Sequence, residues 1–371
     1  MIKIKLCFVS LKISPLLKNI KISESIGGAE LQQLLIGREL SRRAYDISYI
    51  TTSNEVENIR TVHNFKIIPT FNQEEGIKII KFFHPRLTKL WKALHEADAD
   101  IYYVRTASYI LAVVALYVRL NNKKLVYCGS NDPEFDPKAL RMPVLFRDKL
   151  MFFWGLKRAD AVVAQNEFQK RLLFKNFGIN GKIIHNAFFD LGKKVPSCKN
   201  ILWVSKLKAF KNPDIFLKIA EKIPNEKFVM IGGKYSNQSS KNRNLYDMII
   251  EKARKIKNLE FKGYLPLEKV EEQFDQAKLL INTSGHEGFP NTFLQAWIRG
   301  IPVISFVDPD NLIKENKLGF IVRDRKEMVK KINEFCRKKI TLSEMRIKDF
   351  CFENFNIKKI VDDYERLFRS L

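Results

Sequence analysis

The sequence predicts an α/β protein built of two doubly wound, Rossmann-like domains facing a central cleft. Three observations carry the prediction. Short apolar runs alternate with amphipathic stretches of helical spacing along nearly the whole chain. The alternation breaks once, near residues 185–200, and then starts afresh. At 371 residues the chain is long for one core and comfortable for two.

In order, "IKLCFVS" (4–10) is a strand by its length and β-branching. A Ser-rich loop and "GGAE" (27–30) follow, and "LQQLLIGREL" (31–40) repeats its apolar residues at helical spacing. "YDISYITT" (45–52) returns to strand. "DIYYVR" (100–105), "KLVYCG" (124–129) and "AVVAQ" (161–165) are further strands, each preceded by a helix-like segment. One such segment, "YILAVVALYV" (109–118), has about half the 18–20 residues a bilayer span needs and reads as a buried helix. This rhythm predicts a parallel sheet covered on both faces.

"HNAFFDLGKKVPSCKN" (185–200) has the Gly, Pro, Ser and Lys content of a linker. A second series then runs through "ILWVS" (201–205), a helix over 213–222, "KFVMIGG" (227–233), a helix over 244–255 and "LEFKGY" (259–264). It ends with "AKLLINTS" (277–284), a helix after 290 and "PVISF" (302–306). The tail "FENFNIKKIVDDYERLFRSL" (352–371) is one amphipathic helix pattern, with Ile357, Ile360, Val361, Tyr364, Leu367 and Phe368 on one face. The expected domains are 1–188 and 189–352, followed by the terminal helix, 353–371. Open sheets of this kind hold ligands outside the carboxyl ends of their strands.

Composition narrows the function. The five cysteines are odd in number and scattered, with no CxxC pair, which argues against a disulfide framework or a zinc site. No stretch reads as a membrane span or a secretory signal, so the expected compartment is the cytoplasm. The net charge of +24 is spread evenly: 29 basic against 17 acidic residues over 1–185, and 36 against 24 over 186–371. It favours anionic partners, although a Lys-, Ile- and Asn-rich composition explains it as well. The even spread and the lack of a recognised binding module weigh against nucleic acid.

"HEGFPNTFLQAWIRGIPVIS" (286–305) reads as a strand–loop–helix–strand joint. Pro290 suits the first turn of a helix, where a missing N–H costs nothing. The amides at such a start carry the positive end of the dipole and suit a phosphate. Gly285 and Gly288 let the backbone approach a ligand closely. Glu287 is placed to accept hydrogen bonds from hydroxyls, and Gln295 can both donate and accept.

With its neighbours, "NTSGHEGFPNTFLQAWIRGIPVIS" (282–305) resembles the signature of the retaining GT-B glycosyltransferases of family 4, the glycosyl transferases group 1. That signature is Glu, seven residues, Glu. Here Glu287 holds the first place and Gln295 the second. The resemblance implies that Glu287 contacts the donor sugar and that position 295 meets the nucleotide ribose, which Gln295 can bond only without charge. The implied donor-binding set is Gly285, His286, Gly288, Phe289, Pro290, Asn291, Thr292 and Gln295. "WVSKLKAFKNPDIFLKIA" (203–220) is similar to the family's Arg, four residues, Lys segment, with Lys206 in the place of the Arg and Lys211 matching the Lys. Two cations there would neutralise a departing diphosphate, although Lys lacks the bidentate fork of Arg. "GGKYS" (232–236) and "FKGYLP" (261–266) sit where the family places loops around phosphate and base.

In the first half, "SIGGAELQQLLIGREL" (25–40) resembles the family's glycine-rich loop, which implies that amides at Gly27 and Gly28 close over the diphosphate. "KLVYCGSNDPEFDP" (124–137) occupies the place where many members have a histidine; it offers Asn131, Asp132, Glu134 and Asp136 instead, an acidic loop similar to one bacterial polysaccharide branch. Asp132 is the candidate for orienting or deprotonating the acceptor. His63, His84, His95 and His185 are dispersed. Asp98–Ala–Asp100 and Asp308–Pro–Asp310 mimic a metal-binding DxD, but the architecture assigns that role to the lysines and the helix dipole, so no essential metal and no cofactor are expected.

"HPRLTKLWKALHEA" (84–97) and "VLFRDKLMFFWGLKR" (144–158) mix basic and large apolar residues at helical spacing. Either packs into a core or lies on an anionic membrane surface, and the pair points to peripheral association at the inner face of the cytoplasmic membrane. The resemblance implies that the terminal helix crosses back to the first domain. The activity implied is retaining transfer of a hexose from a nucleoside-diphosphate sugar to a hydroxyl of a glycan or lipid-linked acceptor, in cell-surface polysaccharide or glycolipid synthesis. A nucleotide-sugar epimerase and a catalytically silent sugar-nucleotide sensor are the alternatives on the same scaffold.

Overall fold

The structure, a computed structural model, describes the chain except residues 1–2, 15, 17–26, 54–60, 63, 73–74, 76–81, 141–144, 189–198 and 235–239, and gives no side chains for 240–243. Most of the expected linker, Cys198, His63 and the end of the 232–236 loop lie outside the described residues. The chain divides into two compact units. One runs up to Ala187 and takes in Ile357–Leu371; the other spans Phe188–Asn356.

The first unit is built on β1 (Lys5–Val9), β2 (Asp46–Thr51), β3 (Thr61–Val62), β4 (Phe65–Pro69), β5 (Ile101–Arg105), β6 (Lys124–Cys128), β7 (Ala161–Ala164) and β8 (Lys182–Ile183). Their order in the sheet is β3-β4-β2-β1-β5-β6-β7-β8. All pairings are parallel except β3 with β4. The central strands are buried on both faces, which is why they read as continuous Val, Ile, Leu and Tyr runs. Among the described residues, five helices cross over: α1 (Gly28–Arg42), α2 (Thr88–Ala97), α3 (Ile110–Leu120), α4 (Phe146–Leu156) and α5 (Glu167–Phe177). Gly155 lets α4 seat on α3, because a Cβ there would come within 2.7 Å of the Ala112 nitrogen.

The second unit has β9 (Asn200–Val204), β10 (Lys227–Ile231), β11 (Leu259–Phe261), β12 (Ala277–Asn282), β13 (Val303–Ser305) and β14 (Gly319–Ile321). All are parallel, in the order β11-β10-β9-β12-β13-β14. The order reverses between β9 and β12, the switch point at which open α/β sheets bind ligands. Its helices are α6 (Pro213–Lys222), α7 (Ser240–Ala253), α8 (Leu267–Asp275), α9 (Asn291–Trp297), α10 (Leu312–Asn316), α11 (Arg325–Cys336) and α12 (Glu344–Phe355).

The tail is not the single helix its pattern suggested. Asn356 turns extended (φ −58°, ψ 137°), ending α12 and starting α13 (Ile357–Arg369). The apolar face of α13 is the expected one: Ile360, Val361, Tyr364, Leu367 and Phe368 are buried in the core of the N-terminal unit. Each such side chain stabilises by about 1.5–3 kcal/mol. Tyr364 bonds Tyr103 through their hydroxyls at 3.1 Å. Arg43, at the end of α1, clasps Asp362, Glu365 and the Lys358 carbonyl of α13. Among the described residues, no helix is long and apolar enough to cross a membrane.

Candidate functional site

In the second unit, the strand ends at the β9/β12 switch converge. After β9 the chain passes Lys206, makes a short 3-10 turn over Ala209–Lys211, and reaches Asn212 in the left-handed region (φ 47°). Pro213 then opens α6. After β12 comes the loop 283–289, with Pro290 capping α9. Pro290 thus lies one residue before the helix rather than in its first turn, and α9 spans only seven residues.

Backbone and side chains lace the two loops together. Asn212 Nδ2 donates to the Thr283 carbonyl (3.0 Å), Thr283 Oγ1 donates to the Lys211 carbonyl (2.6 Å), and Gly285 N donates to the Phe210 carbonyl (3.0 Å). Trp203 Nε1 fixes Thr283 Oγ1 from the core (2.9 Å). His286 stacks on Phe210 with ring centroids 4.4 Å apart.

This lacing sets the Lys211 ammonium against the Glu287 carboxylate as a salt bridge, with Asn282 Nδ2 at 3.3 Å from the same oxygen. The Glu287 side chain is only 10% exposed. Burial works against its charge, but the Lys211 ammonium and the hydrogen bonds of Ser284 and Asn282 hold it below the ordinary carboxylate range. Burial pushes His286 below the usual imidazole range; Glu287 opposes that and Lys211 adds to it. Lys206 lies two residues past β9, half-buried, and Phe289, Asn291 and Thr292 surround the start of α9. Gly288 continues the loop. An added Cβ at Gly285 would meet nothing nearer than 3.9 Å, so the protein itself leaves the space beside that loop open.

Gln295 faces a different cluster. Its Nε2 donates to Glu271 Oε1 of α8 (2.6 Å). Arg299 approaches Glu271 Oε2 (2.8 Å) off the line of a hydrogen bond and donates through Nε to Asp275 (2.6 Å). Burial raises Glu271 above the usual carboxylate range, against the opposing pull of Arg299 and Gln295. Neither Glu271 nor Arg299 was singled out from the sequence; the spacing of Gln295 and Arg299 by four residues was the available signal. The loop residues Asn282, Thr283 and Ser284 and the ring of Phe210 were also missed.

In the first unit, Gly27 caps α1 in an extended conformation with no side-chain cap bond, and Gly28 is the first helical residue. Asp132 opens a 3-10 turn and accepts from Gln169 Nε2 (3.0 Å). Beside it, Glu134 is buried and takes hydrogen bonds from Tyr127 Oη (2.6 Å), Ser130 and Asn131. Asp98 and Asp100 are exposed, Asp98 pairing with Lys5 and Lys123. Asp308 accepts from the amides of Ile313 and Lys314, a structural cap.

Two family profiles match. The one described as glycosyl transferases group 1 covers residues 198–338, and that described as glycosyltransferase family 4 covers 26–188. An uncharacterized glycosyltransferase of Methanocaldococcus jannaschii is 23% identical, covering 93% of this chain and 95% of its own length. Among solved structures, an Anabaena protein in complex with UDP and glucose superposes with TM-score 0.78 at 17% identity, over 99% of this chain and all of its own. Sucrose-phosphate synthase from Thermosynechococcus elongatus gives TM-score 0.79 at 15% identity, over 99% of each chain.

Proposed function

The chain belongs to the glycosyl transferases of group 1, with the GT-B fold, and we propose that it moves a hexose from a nucleoside-diphosphate sugar to a hydroxyl of an acceptor with retention of configuration. The single observation that carries the reading is the largely buried Lys211–Glu287 pair at the switch point of the second sheet. A buried ion pair stabilises little by itself. Its use is that each partner is held charged and oriented, ready to exchange the other for a ligand.

In the proposed reaction the diphosphate of the donor takes over Lys211, and Lys206 adds a second cation as negative charge grows on the leaving group. Glu287, released from Lys211, accepts hydrogen bonds from the sugar hydroxyls and orients the ring. Gln295, with one amide hydrogen committed to Glu271, presents its oxygen to the ribose. On the resemblance, the first unit's share of the reaction falls to Gly27 and Gly28, whose amides suit a phosphate, and to Asp132, which suits an acceptor hydroxyl. With the hydroxyl attacking from the face that the diphosphate vacates, configuration is retained without a carboxylate nucleophile, and the lysines do the work that a metal performs elsewhere. The acceptor is a glycan or a lipid-linked glycan of cell-surface polysaccharide or glycolipid synthesis, met at an anionic membrane surface. The Anabaena protein's complex with UDP and glucose makes UDP-hexoses the first donors to try.

The test is transfer from a panel of radiolabelled donors by the parent, E287A, and the double variant E287A/K211A. Loss of one such preorganised group costs about 100- to 1,000-fold in kcat. Transfer at the parental rate by the folded double variant would end this reading.

A further inference from the structure

The two basic, aromatic stretches of the N-terminal unit have different fates. In α2, Leu90, Ala93 and Leu94 are buried and Trp91 packs edge-on against Tyr117, so that stretch is core. In α4 the apolar residues divide. Phe152 and Leu156 face inward, while Phe146, Leu150 and Trp154 form an outward stripe at spacing four, exposed by 74%, 53% and 38%. Leu145 extends the stripe at its start. Nothing in the expected chemistry of the switch-point site uses these side chains.

A soluble surface rarely presents such a run of large apolar groups without a partner. Among the described residues, nine of the twelve exposed large apolar side chains belong to this unit. Cations border the stripe. Arg147 lies over the Phe82 ring (3.6 Å), beside exposed Phe83; Arg158 covers Trp154 (3.9 Å); Lys149 and Lys157 are on the same helix and its end. Asp148, the one acidic residue of 145–158, pairs with Arg147 (2.8 Å), which leaves Arg158, Lys149 and Lys157 as the excess charge.

We propose that the outer face of α4 is a docking surface for an anionic lipid bilayer, with Phe146, Leu150 and Trp154 entering the interface and the bordering Arg and Lys meeting lipid phosphates. Helices that lie in a membrane plane have this makeup, apolar rings and branched chains beside cations whose stems reach along apolar surface. Charge decides between occupants. A second copy would set the same cations against one another in a chain of net charge +24. Nucleic acid would be indifferent to Leu145 and Leu150. This deepens the membrane part of the reading above, and its test uses neither donor nor acceptor, so that transfer activity and docking stand or fall separately.

The experiment is co-sedimentation of the full chain with vesicles of phosphatidylglycerol and phosphatidylcholine, against phosphatidylcholine alone, for the parent and for F146S/L150S. Both replaced side chains are exposed, so the variant should keep the parental melting curve. Binding to the anionic vesicles should exceed binding to neutral ones, and the variant should lose at least tenfold in affinity. Brominated lipid should quench the parent's fluorescence more than that of W154F. No binding by the parent, equal binding by the variant, or equal quenching would overturn the proposal. So would self-association of the parent, seen by sedimentation velocity without lipid and abolished in F146S/L150S, which would make the face a contact between copies.

Discussion

Replacing Gln295 by glutamate would restore the carboxylate that the family signature has at that place, and the structure predicts harm. Gln295 Nε2 lies 2.6 Å from Glu271 Oε1, and the cluster already holds two carboxylates, Glu271 and Asp275, against one guanidinium, Arg299. Q295E turns a donor into a third carboxylate. Two like charges relaxed to about 4 Å repel by about 4 kcal/mol at an effective dielectric near 20. The lost hydrogen bond to Glu271 adds about 1.5–3 kcal/mol. Protonation of one carboxylate relieves part of this, so the loss should be largest at neutral pH and shrink in acid. Urea denaturation at pH 7 should show a loss of about 4 kcal/mol for Q295E. The double variant E271Q/Q295E should recover most of it, because the amide introduced at position 271 can donate to the carboxylate introduced at position 295. Affinity for the proposed nucleoside-diphosphate donor, measured on the same pair, separates folding from the proposed ribose contact. Stability of Q295E equal to the parent at pH 7, or a double variant no better than the single one, would refute the reasoning.

Two further outcomes follow from the switch-point loops. Glu287 is held below the ordinary carboxylate range, so its contribution to stability is complete above its unfolded value of about 4.3 and is lost as pH falls through the lower folded value. The melting-temperature gap between the parent and E287Q should therefore be constant above about pH 5 and close as pH drops below about 4; a gap that persists in acid would place the stabilisation elsewhere. G285A should melt within about 2 °C of the parent, since its new methyl meets nothing nearer than 3.9 Å, yet weaken donor binding. Full donor affinity measured by calorimetry would show that the ligand does not pass that loop.

Much of the fold was legible because each central strand is an apolar run buried on both faces, and each crossover helix carries a 3.6-residue stripe. β1, β5 and β6 could be read from "IKLCFVS", "DIYYVR" and "KLVYCG" almost to the residue. The short edge strands β3, β8 and β14 could not, being two or three residues with little burial to shape a pattern. Nor could the break at Asn356, because the apolar spacing on either side continues across it as if the helix did. The same limit hides the fates of the two amphipathic stretches: "HPRLTKLWKALHEA" and "VLFRDKLMFFWGLKR" have one texture, and only the seating of Gly155 on α3 decides which face of α4 is left outside.

The sequence by itself determined the alternation, the switch from one doubly wound series to another, and the residue types at 206, 211, 287 and 295. Those depend on period and identity, which are local. The tertiary structure alone decided the company each of them keeps. Lys211 and Glu287 are 76 positions apart and meet because β9 and β12 are neighbours in the sheet. Gln295 differs from its family's glutamate in a setting where Glu271, from the preceding helix, already supplies the negative charge. Such partnerships are set by strand order and helix packing, and no local pattern in the chain records them.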